Sequence, residues 1–179
     1  MSKNGLILLT PTSISYAGGS ASISANGSVS FSAAYIGLNG VFTADYENYM
    51  IVCRYNKSGS DRTNYIRLRQ GGTETTTGYT WQRLIADATT LSAARTADNA
   101  GIVSQSWTGD KNGFVGHMYG PYLAQATAFR SITVHGQSNA GIQDGVWTHS
   151  LTNSYDGFTF YTALYEGQTG RIAVYGMRK

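Results

Sequence analysis

Polar and apolar residues alternate with a period of two in short runs along this chain, and turn dipeptides separate the runs. In 64–70, Ile66 and Leu68 fall on one parity and Tyr65, Arg67 and Arg69 on the other. In 171–177, Ile172 and Val174 alternate with Arg171, Ala173 and Tyr175. A strand sends successive side chains to opposite faces, so each run predicts one buried and one wet face, as in antiparallel sheets. Similar runs predict strands at 48–56, 101–107, 114–119, 128–135, 146–151 and 157–162. Asn26-Gly27, Asn39-Gly40 and Asn112-Gly113 are dipeptides that two-residue hairpins favour, because type I′ turns need positive φ at both central residues. Asp144-Gly145 and Asp156-Gly157 signal turns in the same way, and Gly18-Gly19 and Gly71-Gly72 mark further breaks. Residues 21–23 and 29–31 flank Asn26-Gly27 and predict an N-terminal hairpin.

The stretch 80–94 departs from this pattern. Leu84 and Ile85 follow Trp81 by three and four and Leu91 follows Leu84 by seven, while Thr89, Thr90 and Ser92 weaken a helix, so a loop with one short helical turn is expected. Eight body strands plus a hairpin predict an all-β fold, an antiparallel two-sheet sandwich of the jelly-roll type. The expected division is an N-terminal arm and hairpin over 1–45 and a sandwich body over 46–179. An immunoglobulin-like sandwich is smaller and usually carries a cysteine pair, which one cysteine cannot supply.

Composition sharpens this. At 179 residues the chain is long enough for one self-sufficient core. Charged residues make up only 13%, and 13 tyrosines with 6 phenylalanines supply core and contact area instead. The net charge of +3 is scattered, with no basic run dense enough for a nucleic-acid arm or membrane patch. Cys53 lies on the parity of Tyr49, Ile51 and Tyr55, which predicts a small buried hydrophobe rather than a reactive thiol. The apolar stretch Leu6–Leu9 is too short for a signal segment, and no run is long enough to span a bilayer as a helix. Synthesis in a reducing cytoplasm is the expectation.

Candidate chemistry is sparse. Asp61, Asp98, Asp110, Asp144 and Asp156 sit in turn-like contexts, and only Glu47, Asp87 and Glu166 lack an obvious turn role. A glycosidase-type pair needs two carboxylates on rigid elements facing a substrate, and none is expected. His117, His135 and His149 fall on three strands without metal-ligand spacing, so neither metal nor cofactor is expected. No phosphate loop, dinucleotide fingerprint or nucleophile elbow occurs. Tyr65, Arg67 and Arg69, sharing one face of a strand, form the candidate interface or ligand face. Trp81, in the irregular stretch, is the tryptophan expected to be exposed, while Trp107 and Trp147 are expected in the core. Exposed aromatic rings could stack on sugars.

The segments 10–14, 28–31, 38–43, 45–49 and 154–158, followed by Arg171-Ile172-Ala173-Val174-Tyr175-Gly176-Met177-Arg178, carry a resemblance across nearly the whole length. Their order and spacing resemble small structural proteins of tailed bacteriophages, of the capsid decoration or cement and tail-appendage types. The resemblance implies a jelly-roll-like, non-enzymatic protein that forms a homotrimer on the virion surface. Its implied partners are copies of itself and the major capsid protein or tail proteins. A tail-fibre-type appendage that recognises host surface glycans is the alternative. With only the 1–45 arm ahead of the body, a stand-alone knob or clamp is favoured over a long fibre.

Overall fold

The alternation seen in the sequence becomes two stacked antiparallel sheets in a computed structural model, which describes residues 5–136 and 140–178. The side chains of Asp110 and Lys111 lie outside what is described, as does Lys179. An interior strand of the larger sheet is β6 (Asn48–Lys57), with Tyr49, Ile51, Cys53 and Tyr55 all turned into the core. Burial pushes the Cys53 thiol far up, so it is the buried hydrophobe its parity predicted. β6 pairs on one side with β16 (Gln168–Met177) and on the other with β12 (Gly109–Tyr119). The sheet continues from β12 through β13 (Thr127–His135), β14 (Gly141–His149) and β9 (Tyr79–Asp87) to the edge strand β10 (Thr90–Asp98).

The N-terminal residues are woven into both sheets rather than standing apart as an arm. β1 (Leu6–Leu9) pairs with the end of β16, and β4 (Val29–Ala33) pairs with its beginning. β3 (Ser20–Ile23) pairs with β4 around the Asn26-Gly27 turn, as the predicted hairpin requires. The second sheet contains β2 (Ser13–Ala17), β5 (Tyr35–Asn39), β15 (Gly157–Thr162), β7 (Arg62–Gln70) and β11 (Gly101–Ser106) in that order. β8 (Thr73–Glu74) pairs with the far end of β7. The architecture is therefore a jelly-roll-like sandwich of ten and six strands. It has more strands than predicted because further N-terminal residues, Thr73–Glu74 and 79–98 also pair.

Residues 79–98 are a hairpin, not a loop with a helical turn. Tyr79, Trp81 and Ile85 face the core in strand alternation, while Leu84 and Leu91 lie on the opposite, exposed face. Apolar residues on both faces hid the period of two. Asn112-Gly113 and Asp144-Gly145 also lie inside strands. Asn112 sits at a register shift of β12 against β6, where its amide donates to the carbonyls of Trp107 and Gly109. Gly145 faces β11, and a Cβ there would lie 3.2 Å from Ser131 Oγ and 3.5 Å from the Val103 carbonyl.

The apolar core lies where β4, β5, β6, β12, β15 and β16 face one another. Phe160 packs against Phe31, Tyr55 and Phe114 with ring centroids 6.3, 5.7 and 5.6 Å away. Under β11 the interior is different. β11 bulges between Ile102 and Ser104, so the Val103 carbonyl leaves the ladder and accepts from Ser131 Oγ (2.6 Å) and Thr133 Oγ1 (3.2 Å). Gln143 Oε1 accepts from the Gln105 amide at 2.8 Å. An edge strand laid over β13 and β14 thus requires polar side chains inside. Among the described residues no helix is long and apolar enough to cross a membrane.

Candidate functional site

Strand alternation on β7 puts Tyr65, Arg67 and Arg69 on the outer face of the six-stranded sheet, as predicted. Register brings more residues to the same face. Tyr161 on β15 lies between Tyr65 and Tyr35, and Thr159 lies between Arg67 and Gly37. Gly37 leaves space that Arg69 uses, since a Cβ there would come within 2.9 Å of Arg69 Nη1.

The rings form a cluster. Tyr161 stacks on Tyr165 at 5.2 Å, lies 5.7 Å from Tyr65, and carries the Arg67 guanidinium 4.8 Å from its ring centre. Tyr35 meets Tyr165 edge-on at 6.4 Å. Tyr165 is delivered by a short 3-10 turn, Ala163–Tyr165, in which Leu164 and Tyr165 both take positive φ, 63° and 53°. Non-glycine residues adopt that conformation at a cost of order 1–3 kcal/mol each. Leu164 projects into water at 76% exposure and Tyr165 is half exposed.

Arg67 is held from several sides. Its Nη1 donates to Glu74 Oε2 (3.1 Å) and to the Tyr165 hydroxyl (3.3 Å), while Nε and Nη2 donate to the backbone and side-chain oxygens of Asn99. Burial works against its charge, but the Tyr161 and Tyr165 phenols and the Glu74 carboxylate outweigh it and hold the Arg67 pKa above its usual value. Burial, above all, pushes the Tyr161 phenol up, so it remains a neutral hydroxyl. The face therefore offers the neutral Tyr161 phenol beside the fixed Arg67 cation.

Arg69 differs from the expectation of a polar outer residue, because it is 6% exposed. Its guanidinium donates to Asn39 Oδ1 (2.8 Å), Thr159 Oγ1 (2.7 Å) and the Gly72 carbonyl, and lies 3.5 Å from Glu74 Oε1. The Gly71-Gly72 turn folds over it, so it braces the face instead of meeting a ligand. Trp81 also corrects the prediction, being 9% exposed on the inner face of the other sheet. It reaches the site indirectly. Its Nε1 donates to Asp98 Oδ2 (3.2 Å), Asp98 Oδ1 accepts from the Asn99 amide (2.7 Å), and Asn99 holds Arg67. Trp147 is in the core, while Trp107 is partly exposed and stacks on His135 at 5.7 Å.

Tyr35, Glu74, Asn99, Tyr161 and Tyr165 were missed from the sequence. The signal for Glu74 was its position just past the double-glycine turn, where a chain reversing on β7 returns a carboxylate to Arg67 and Arg69. For the tyrosines the information lay in strand register, which alternation alone does not supply.

Other expected chemistry is dispersed. His135 and His149 lie at opposite ends of paired strands, and burial lowers the pKa of both. Among the described residues no cluster of His, Cys, Asp and Glu could hold a metal ion. Glu166 is engaged by Lys57 Nζ at 2.5 Å and Arg62 at 2.8 Å, and Asp144 by Arg130 at 2.6 Å. The Tyr–Arg face is thus suited to stacking and hydrogen bonding, with both Glu74 oxygens already engaged by guanidinium groups.

No family model matches the chain, and no curated protein matches it. Among solved structures it is similar to a non-specific endo-beta-1,3(4)-glucanase from family GH16, at 9% identity and a TM-score of 0.25. That match covers 80% of this chain and 63% of the glucanase, a likeness too slight to carry a role across.

Proposed function

We propose that this chain is a non-enzymatic virion structural protein of a tailed bacteriophage, a homotrimeric capsid decoration or cement protein that stabilises the shell. The observation that carries the reading is the outer face of the ten-stranded sheet over β9, β12, β13 and β14. It exposes Leu84, Val115, Ile132, Val134, Ile142 and Val146 together. Apolar patches of this kind mark surfaces that other proteins cover. A cementing role needs large complementary contacts rather than a reactive group. The sparse charge and abundant tyrosine of the sequence fit such a piece. The partners on this reading are further copies of the chain and the major capsid protein or tail proteins, with assembly following synthesis in the host cytoplasm.

A second reading, a tail appendage that recognises host surface glycans, is favoured by the Tyr–Arg face. Tyr165 is half exposed beside Arg67, on a strained turn that holds it outward, and flat rings with fixed donors suit sugars. A glycan array with Tyr165→Ala as control tests it. Specific binding lost in the variant supports the appendage, and an array without signal counts against it.

Quantitative mass spectrometry of purified particles from the source phage tests the first reading. Abundance comparable to the major capsid protein is expected of a cement protein. A few copies per particle would favour the appendage, and absence from the particle would overturn both.

A further inference from the structure

Strand register resolves the aliphatic face into two neighbouring rows. One row runs Arg54, Gly113, Val134, Ile142, Ala86, Leu91 from β6 to β10, and the next runs Val52, Val115, Ile132, Asp144, Leu84, Ala93. At about 4.8 Å per strand the rows are about 24 Å wide. Leu91 is 74% exposed, Ile132 60%, Ile142 59%, Val134 57% and Leu84 48%. With Val115 and Val146 these leave on the order of 600 Å² of aliphatic surface in water, at the upper end for the largest patch of a typical monomer. A standard interface takes about 800 Å² from each partner. Among the described residues none packs over this face, and Ser131, Thr133 and the Gln143 side-chain carbonyl beneath it are turned inward to serve β11.

We infer that a second copy of this chain covers this face. The inference rests on the reading of the chain as part of an assembly and names what lies against its aliphatic surface. Two observations select a copy over a charged partner. First, the carboxylate near the middle of the face is neutralised within it. Asp144, the carboxylate in these rows, is bound by Arg130 through Nε at 3.1 Å and Nη2 at 2.6 Å. Arg54 and Arg95 stand at the outer ends of their rows, on β6 and on the edge strand β10. Two such faces therefore meet without opposing like charges at their centre.

Second, the face holds both halves of a fit. Over β6, β12, β13 and β14 it is hollow, with a groove of about 740 Å³ lined by Val52, Arg54, Val115, Ile132, Val134 and Ile142. Over β9 and β10 Leu84 and Leu91 stand proud. The leucines of one copy enter the groove of the next, and rotational symmetry repeats the contact until the assembly closes.

Mass in solution tests this, by light scattering over a concentration series with the full chain and the Leu91→Glu and Ile132→Glu variants. Both positions are exposed, so the variants should keep the wild-type circular dichroism and melting profile. The expected result is a wild-type mass of two or three chains, with association weakened roughly a hundredfold in each folded variant. A wild type that stays monomeric at every concentration overturns the inference, even if the face proves to bind another protein. So does a variant that retains the wild-type mass. Particle copy number is read independently, so an oligomer absent from particles would refute the virion role and leave this face assignment standing.

Discussion

The two halves of the ten-stranded sheet obey opposite rules. Around β6 and β16 the inner face is apolar, with Tyr49, Ile51, Cys53, Ile172 and Val174, while the outer face mixes Arg54, Asn56 and Arg171 with Met50, Val52 and Tyr175. On β13 and β14 the inner face carries Phe129 and Trp147 at one end and Ser131, Thr133, His135 and Gln143 along the rest, and Ile132, Val134 and Ile142 point outward. The first half faces β5 and β15 and forms an ordinary core. The second lies under an edge strand with a bulge, whose backbone needs hydrogen-bond partners. A buried face need not be the apolar one when an edge strand covers it, and an apolar face turned to water calls for a neighbour.

The largest expected effect lies in the first half. Phe160→Ala removes a fully buried ring in contact with three others and should cost about 3–5 kcal/mol, read as a shift of the denaturant midpoint. A loss below 1 kcal/mol would mean the apolar centre is misplaced. Next is the ion pair of Glu166 with Lys57, whose side chain is wholly buried. The hydrogen bond from Lys57, then the charges of Lys57 and Arg62, hold the Glu166 carboxyl below its ordinary value of 4.5. A depressed pKa stabilises the fold above the unfolded value, and this contribution fades as pH falls through the folded value. Glu166→Gln should therefore lower the melting temperature at neutral pH, with the gap narrowing in acid. A gap independent of pH would contradict the pair.

Neighbouring residues on β13 sharpen the contrast. Ser131→Ala removes a buried donor to Val103 and should cost about 1 kcal/mol, because Thr133 still reaches that carbonyl. Ile132→Ser, one residue along, should change the stability of the monomer by less than about 0.5 kcal/mol. Urea titrations at a dilution where the protein is monomeric compare the two, and a larger loss at Ile132 would reverse the assignment of faces. The smallest effect concerns the strained turn. Leu164→Gly accepts the positive φ at lower cost and should alter stability by about 1 kcal/mol or less, towards a higher melting temperature.

What the sequence made legible follows the same division. The faces of β7 and β16 could be read because apolar and polar residues alternate cleanly there. The hairpin of β9 and β10 was obscured because Leu84 and Leu91 add apolar positions on the solvent face, imitating helical spacing. Asn112-Gly113 and Asp144-Gly145 misled for a related reason. Asn112 turns its amide to a strand irregularity, and Gly145 makes room for β11, uses that the dipeptide alone does not distinguish from a turn. Of the candidate site, Tyr65 and Arg67 were placed correctly on one face. The closure over Arg69 and the inward position of Trp81 depend on Glu74, Gly72 and Asp98, which long-range pairing brings into place.

The most direct test of the covered aliphatic face is hydroxyl-radical footprinting of Leu84, Leu91, Ile132, Val134 and Ile142 in the native assembly, compared with the dissociated, folded Leu91→Glu variant at the four unaltered positions. Protection in the assembly, with strong labelling of those four in the variant, is the predicted result. Labelling that is equally strong in both would show the face open to water, and would contradict the account.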